Sequence, residues 1–84
     1  MKENEKYKDK SDKLIADRIY SVRMKLGLTQ AEMAQLLIIK IQYLSSLENG
    51  RRKPGMKLLT KLIRLCKSKG VIINHQFLRP DQDY

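Results

Sequence analysis

Nucleophilic or metal chemistry would have to come from one cysteine, Cys66, and one histidine, His75. One of each cannot build a metal cage, and a single cysteine cannot close an internal disulfide. Catalysis needs a positioned acid, base or nucleophile in a pocket. Cys66 falls in an apolar stripe that reads as core, and His75 has no carboxylate at a telling spacing. The sequence therefore predicts no enzyme, no metal and no cofactor. What remains are cationic side chains, chiefly the run Arg51-Arg52-Lys53. Three consecutive cations repel one another, so the run is stabilised by a polyanion and not by itself. It suits nucleic-acid recognition, against the plainer reading of a solvated charged face.

The charge is placed to support that chemistry. Eighteen Lys and Arg against nine Asp and Glu give a net +9 over 84 residues. Residues 1–13 contribute +1 and residues 71–84 contribute −1, so residues 14–70 hold the whole +9. Their twelve basic side chains face only Asp17, Glu32 and Glu48. A basic folded segment concentrates counter-anions and fits a polyanion, although solubility alone is a competing explanation. The length allows one small domain. No apolar run reaches the roughly 20 residues of a membrane span, and Met1 to Asp12 lacks the apolar core of a secretory signal. A reducing cytoplasm is the expected address.

The elements that must position these residues are short helices. Residues 1–12 alternate acids and lysines and read as a flexible charged arm. A first helix is expected to start near Ser11 or Asp12, either of which can cap it, and to bury Ile15, Ile19, Val22 and Leu26 before Gly27 ends it. Thr29-Gln30-Ala31-Glu32 forms a capping box that opens a second helix, with Ala34 and Leu37 turned inward. Ile38, Ile39 and Lys40 make a tight turn into a third helix, Ile41 to Glu48, which buries Leu44 and Leu47. Asn49-Gly50 stops it and Arg51-Arg52-Lys53-Pro54 continues as a basic loop. A fourth helix follows Pro54-Gly55, with Leu58, Leu59, Leu62, Ile63, Leu65 and Cys66 on a broad apolar face and Gly70 at its end. Asn74 is placed to cap a last turn carrying Phe77 and Leu78. No strand pair is visible. The expected fold is all-α, a compact four-to-five-helix domain over residues 13–78 with a short tail at 79–84.

Val22-Arg23, Gly27-Leu28-Thr29-Gln30-Ala31-Glu32-Met33-Ala34 and Leu47-Glu48-Asn49-Gly50-Arg51-Arg52-Lys53-Pro54 carry a resemblance. In order and spacing, from about Ile19 to Val71, they resemble the phage repressor and Xre-type helix-turn-helix family. The resemblance implies that the third helix enters the major groove of double-stranded DNA while the second lies across the backbone. The groove-facing positions would then be Lys40, Ile41, Gln42, Tyr43 and Ser46. There the Gln42 amide, with a donor and an acceptor, would match N7 and N6 of adenine. Ile41 would offer apolar surface to a thymine methyl, Lys40 a charge to a phosphate or guanine edge, and Tyr43 and Ser46 a bond to either bases or phosphates. Exposure of Ile41 and Tyr43 would favour a binding surface. Gln30, Asn49, Arg51, Arg52 and Lys53 would meet the phosphate backbone. Arg23 and Glu48 would form a structural ion pair between the first and third helices.

Two positions depart from the family pattern. Ile38 stands where glycine is usual, so the turn is either distorted or held by packing of a strained residue. Ile41 stands where many relatives carry a glutamine that pairs with the equivalent of Gln30. The function implied is a sequence-specific transcriptional regulator, a repressor acting as a homodimer on a palindrome in the nucleoid. One domain alone makes too few base contacts for tight specificity. Ile72, Ile73, Phe77 and Leu78 either form the dimer surface or close the core. Nothing after Val71 is long enough for a sensing or self-cleaving module, so regulation is expected from a partner or from abundance. The alternative is an antitoxin-like or adaptor module that binds a protein such as a toxin, without a membrane.

Overall fold

The computed structural model describes residues 10–82, and within them the chain forms five helices and no strand. They are α1 (Lys10–Leu26), α2 (Gln30–Leu37), α3 (Ile41–Glu48), α4 (Met56–Ser68) and α5 (His75–Leu78). Residues 1–9 of the expected arm, and residues 83–84, lie outside the described residues.

Each helix is closed by local chemistry. The Thr29 hydroxyl accepts from the Glu32 N–H at 3.1 Å, and the Glu32 carboxylate accepts from the Thr29 N–H at 2.8 Å. This reciprocal box satisfies two N–H groups that the first turn of α2 cannot pair internally. Asn74 Oδ1 likewise accepts from Phe77 N–H at 2.8 Å and starts α5. At the C-termini of α1, α2, α3 and α4 a left-handed residue follows the helix, namely Gly27, Ile38, Gly50 and Gly70. That conformation lets the next N–H groups turn back onto carbonyls of the last turn.

One core holds the helices together. Ile15, Ala16, Ile19 and Val22 of α1 are buried at helical spacing against Leu44 and Leu47 of α3 and Leu78 of α5, among others. Met33, Ala34 and Leu37 of α2 pack onto α3 and α4. Leu58, Leu59, Leu62 and Cys66 complete it from α4, with Ile63 and Leu65 half-buried at its edge. Helix α3 is thus wedged between α1 and α2 with one face left over.

The ends differ from the sequence-based expectation. α1 begins at Lys10, so Ser11 and Asp12 lie inside the helix, and Asp12 is buried. At the other end Arg79 is buried and Pro80 half-buried, so the packed domain continues beyond Leu78. The two ends come together at an ion cluster described below. The four C-terminal apolar residues divide. Leu78 is fully buried and Ile73 packs against the core, whereas Ile72 is 78% and Phe77 36% exposed. Leu78 closes the core, so it offers nothing to a partner surface.

Candidate nucleic-acid interface

Leu44 and Leu47, three residues apart, fix the rotation of α3 by burying one side of it. At the start of the helix Lys40, the N-cap, and Ile41 and Gln42 of the first turn are exposed. Ile41 is 41% exposed and offers apolar surface at the start of α3. Lys40 occupies the N-cap without making a side-chain cap bond, so the positive end of α3 is not neutralised by its own cap. Two of the five expected groove positions are less open. Tyr43 is half-buried and packs against the core, because it lies next to Leu44 and Leu47 on the helix. The Arg52 guanidinium sits 6.0 Å from its ring centroid. Ser46 is half-buried and its hydroxyl donates to Gln42 O at 2.9 Å, so its proton is used inside the helix.

The inner end of α3 is tied to the other two helices through Glu48. Arg23 Nε donates to Glu48 Oε2 at 2.7 Å and Arg23 Nη2 to Oε1 at 2.9 Å. The third guanidinium nitrogen, Nη1, donates to Leu28 O at 3.0 Å. The two side chains are 11% and 6% exposed, and the fork of the guanidinium matches the carboxylate on both oxygens. Hydrogen bonding to Glu48 pushes the Arg23 pKa up, against burial, which lowers it. Gln30 Nε2 donates to the same Oε1 at 3.1 Å. Ile41 has no side-chain amide to pair with Gln30, and the Glu48 carboxylate accepts from Gln30 instead. Gln30 is half-buried, and this bond takes one of the two N–H donors of its amide.

The basic loop is more ordered than three adjacent cations suggest. Asn49 caps α3 and its Oδ1 accepts from Arg51 N–H at 3.2 Å. Arg51 and Arg52 are exposed. Lys53 is not an open cation. Its Nζ lies 3.1 Å from Asp12 Oδ1 and 3.4 Å from Asp81 Oδ2, and hydrogen bonding to Asp12 above all raises its pKa. Of the three cations, Lys53 thus has carboxylates beside it within the protein, while its side chain stays 39% exposed.

Sequence reasoning missed four residues that shape this face. Asp12, Arg79 and Asp81 hold Lys53 and its neighbour, and Lys61 of α4 donates to Leu37 O at 3.2 Å, beside the turn into α3. Apart from the Arg79–Asp81 pair, two positions apart, each acts on a residue far away in the chain. Cys66 is fully buried and burial pushes its thiol pKa up, which suppresses the reactive thiolate.

Two short helices joined by three residues, with the second presenting a polar face on a basic all-α domain, define a helix-turn-helix protein. The helix-turn-helix family model, of Cro/C1 type and Xre-like, matches residues 19–70, more than half of the chain. The chain belongs to that family, which is a DNA-binding one and typically without enzymatic activity. No curated protein and no solved structure matches it. Among the described residues no helix is long and apolar enough to cross a membrane.

Proposed function

We propose that the protein is a sequence-specific transcriptional repressor that inserts α3 into the major groove as a homodimer on a palindromic operator. The observation that carries this reading is the outward face of α3, where Lys40, Ile41 and Gln42 stand exposed on a helix locked by Glu48. In this reading Gln42 reads adenine, Ile41 meets a thymine methyl and Lys40 meets a guanine edge or phosphate. Arg51, Arg52 and Asn49 contact the backbone, and the protein resides in the nucleoid. Ile72 and Phe77, exposed beside Val22, Lys25 and Val71 on the α1–α5 side, supply the surface for the second copy.

The test is selection of binding sites from a random duplex pool at about 150 mM salt, where weak backbone attraction is screened. The expected result is an enriched palindrome with half-sites about 10 base pairs apart, as helix-turn-helix dimers require. Gln42→Ala then relaxes one position of each half-site, at a cost of about 1–3 kcal/mol. Retention of DNA without enrichment would overturn the base-reading role of α3.

A further inference from the structure

The two ends of the described chain meet at the loop that follows α3. Asp12, in the first turn of α1, is 4% exposed and faces Lys53 Nζ at 3.1 Å. Asp81 faces the same ammonium at 3.4 Å. Arg79, buried, grips Asp81 on both oxygens, Nε to Oδ1 and Nη2 to Oδ2, each at 2.9 Å. Its remaining nitrogen, Nη1, donates to Pro54 O at 2.7 Å. Two consecutive loop residues are therefore held, Lys53 by its side chain and Pro54 by its backbone.

The loop is also held at its start. Arg51 and Arg52 N–H groups both donate to Ser46 O of α3, at 3.0 and 3.3 Å. The two exposed arginines thus sit on a segment anchored to α3 on one side and to the ion cluster on the other. We infer that the Asp12–Lys53–Asp81–Arg79 cluster is a positioning device for DNA binding, fixing where Arg51 and Arg52 stand relative to the α3 face. The inference rests on the reading of α3 as the base-reading helix.

The electrostatics favour this account over a purely attractive one. Two carboxylates beside a DNA-facing loop repel phosphate, so affinity alone would be better served without them. Geometry is what they supply. Neutralising Asp81 then has two opposed effects. Attraction for any duplex rises, because one negative charge is gone, and that effect is blind to sequence. The register of Arg51 and Arg52 against α3 loosens, and that effect falls on the selected site, where phosphate contacts set orientation.

The experiment compares Asp81→Asn with Asp17→Asn, an exposed α1 carboxylate paired with Lys13 at 2.8 Å, which carries the same change in charge. Arg79→Lys is the second variant. It changes no charge but loses the fork that holds Asp81 and Pro54 together. Binding to the selected duplex and to a random-sequence duplex is measured for each, with hydrogen exchange of the Arg51 amide. Asp81→Asn and Arg79→Lys are expected to cut the ratio of selected to random affinity about tenfold and to speed Arg51 exchange. Asp17→Asn is expected to move both duplexes together and leave the exchange unchanged. The inference is overturned if Asp81→Asn behaves like Asp17→Asn and Arg79→Lys leaves the ratio intact. Should the unaltered protein prefer no duplex, the base-reading role of α3 has failed, and exchange decides whether the cluster anchors the loop. Faster Arg51 exchange in both variants supports that anchor, and unchanged exchange removes it.

Discussion

Helix α3 is entered and left through chain reversals with one hydrogen-bond pattern. Before it, Ile39 N–H donates to Ala34 O at 2.9 Å and Ile38 N–H to Gln35 O at 3.2 Å. After it, Arg51 N–H donates to Ser46 O at 3.0 Å and Gly50 N–H to Leu47 O at 3.4 Å. The pivots are both left-handed, Ile38 at φ 58° and Gly50 at φ 81°. Their support differs. Gly50 carries no side chain to clash, and its loop is tied down by charges at Glu48 and Lys53. Ile38 is a β-branched residue in a conformation that costs it roughly 1–2 kcal/mol. Neither alternative offered by the sequence holds, because the turn is regular and the Ile38 side chain is 81% exposed. Its neighbours do the holding: Leu37 is fully buried, Ile39 packs on the core, and Lys61 caps Leu37 O. A strained turn can thus be imposed by apolar anchors on either side of it.

The largest test of this contrast removes the charge that supports the far side of α3. Glu48→Ala leaves the Arg23 guanidinium, 11% exposed, without a carboxylate and strips Gln30 of its acceptor. Breaking a buried pair from one side costs about 3–5 kcal/mol, a large share of the 5–15 kcal/mol that small domains possess. Urea unfolding should show a midpoint lowered accordingly. An unchanged midpoint would mean that packing alone holds α3, as it holds the turn before it.

The second test exchanges the pivots. Ile38→Gly relieves the left-handed strain, offset by the greater freedom of glycine in the unfolded chain, for a net gain of about 0.5–1 kcal/mol. Gly50→Ile should lose about 1–2 kcal/mol by creating at the second reversal the strain now borne at the first. Opposite shifts of the urea midpoint are expected for the two variants. If Ile38→Gly destabilises instead, the exposed isoleucine contributes something that its surroundings do not reveal.

How much of this was legible beforehand follows the range of the interactions. The Thr29–Glu32 box, the Asn74 cap and the limits of α2 and α3 depend on residues within four positions, and the sequence displays them directly. Asp12 shows why the rest was hidden. As a residue type near a helix start it suggests a cap, yet it is buried against Lys53, 41 positions later. Arg79 and Asp81 looked like an acidic tail, because nothing local says that Pro54 O awaits a donor. At the interface, the exposure of Gln42 follows from the helix rotation set by Leu44 and Leu47. The half-burial of Tyr43 and Ser46 was not legible, since periodicity cannot say how deep a flanking side chain sinks.

The smallest expected effect separates the two reversals by pH. Hydrogen bonding to the Arg79 guanidinium, foremost, holds the Asp81 carboxyl down to about 2 from the ordinary 3.8. A carboxylate lowered on folding adds stability that is complete above its unfolded value and drains away as pH falls through its folded one. The Asp81 contribution should therefore be full at pH 5 and above, and should disappear between about pH 4 and pH 2. Its side chain keeps 17% of its exposure, so solvent screening makes the contribution small. Measured against Asp81→Asn, the unaltered protein should lose its advantage across that window alone. The same acid titration on an Ile38→Gly background should give a parallel curve, because Ile38 itself carries no titrating group. A curve that converged with the parent at low pH would instead join the two reversals into one cooperative unit, with the charges behind α3 helping to hold the strained turn in front of it.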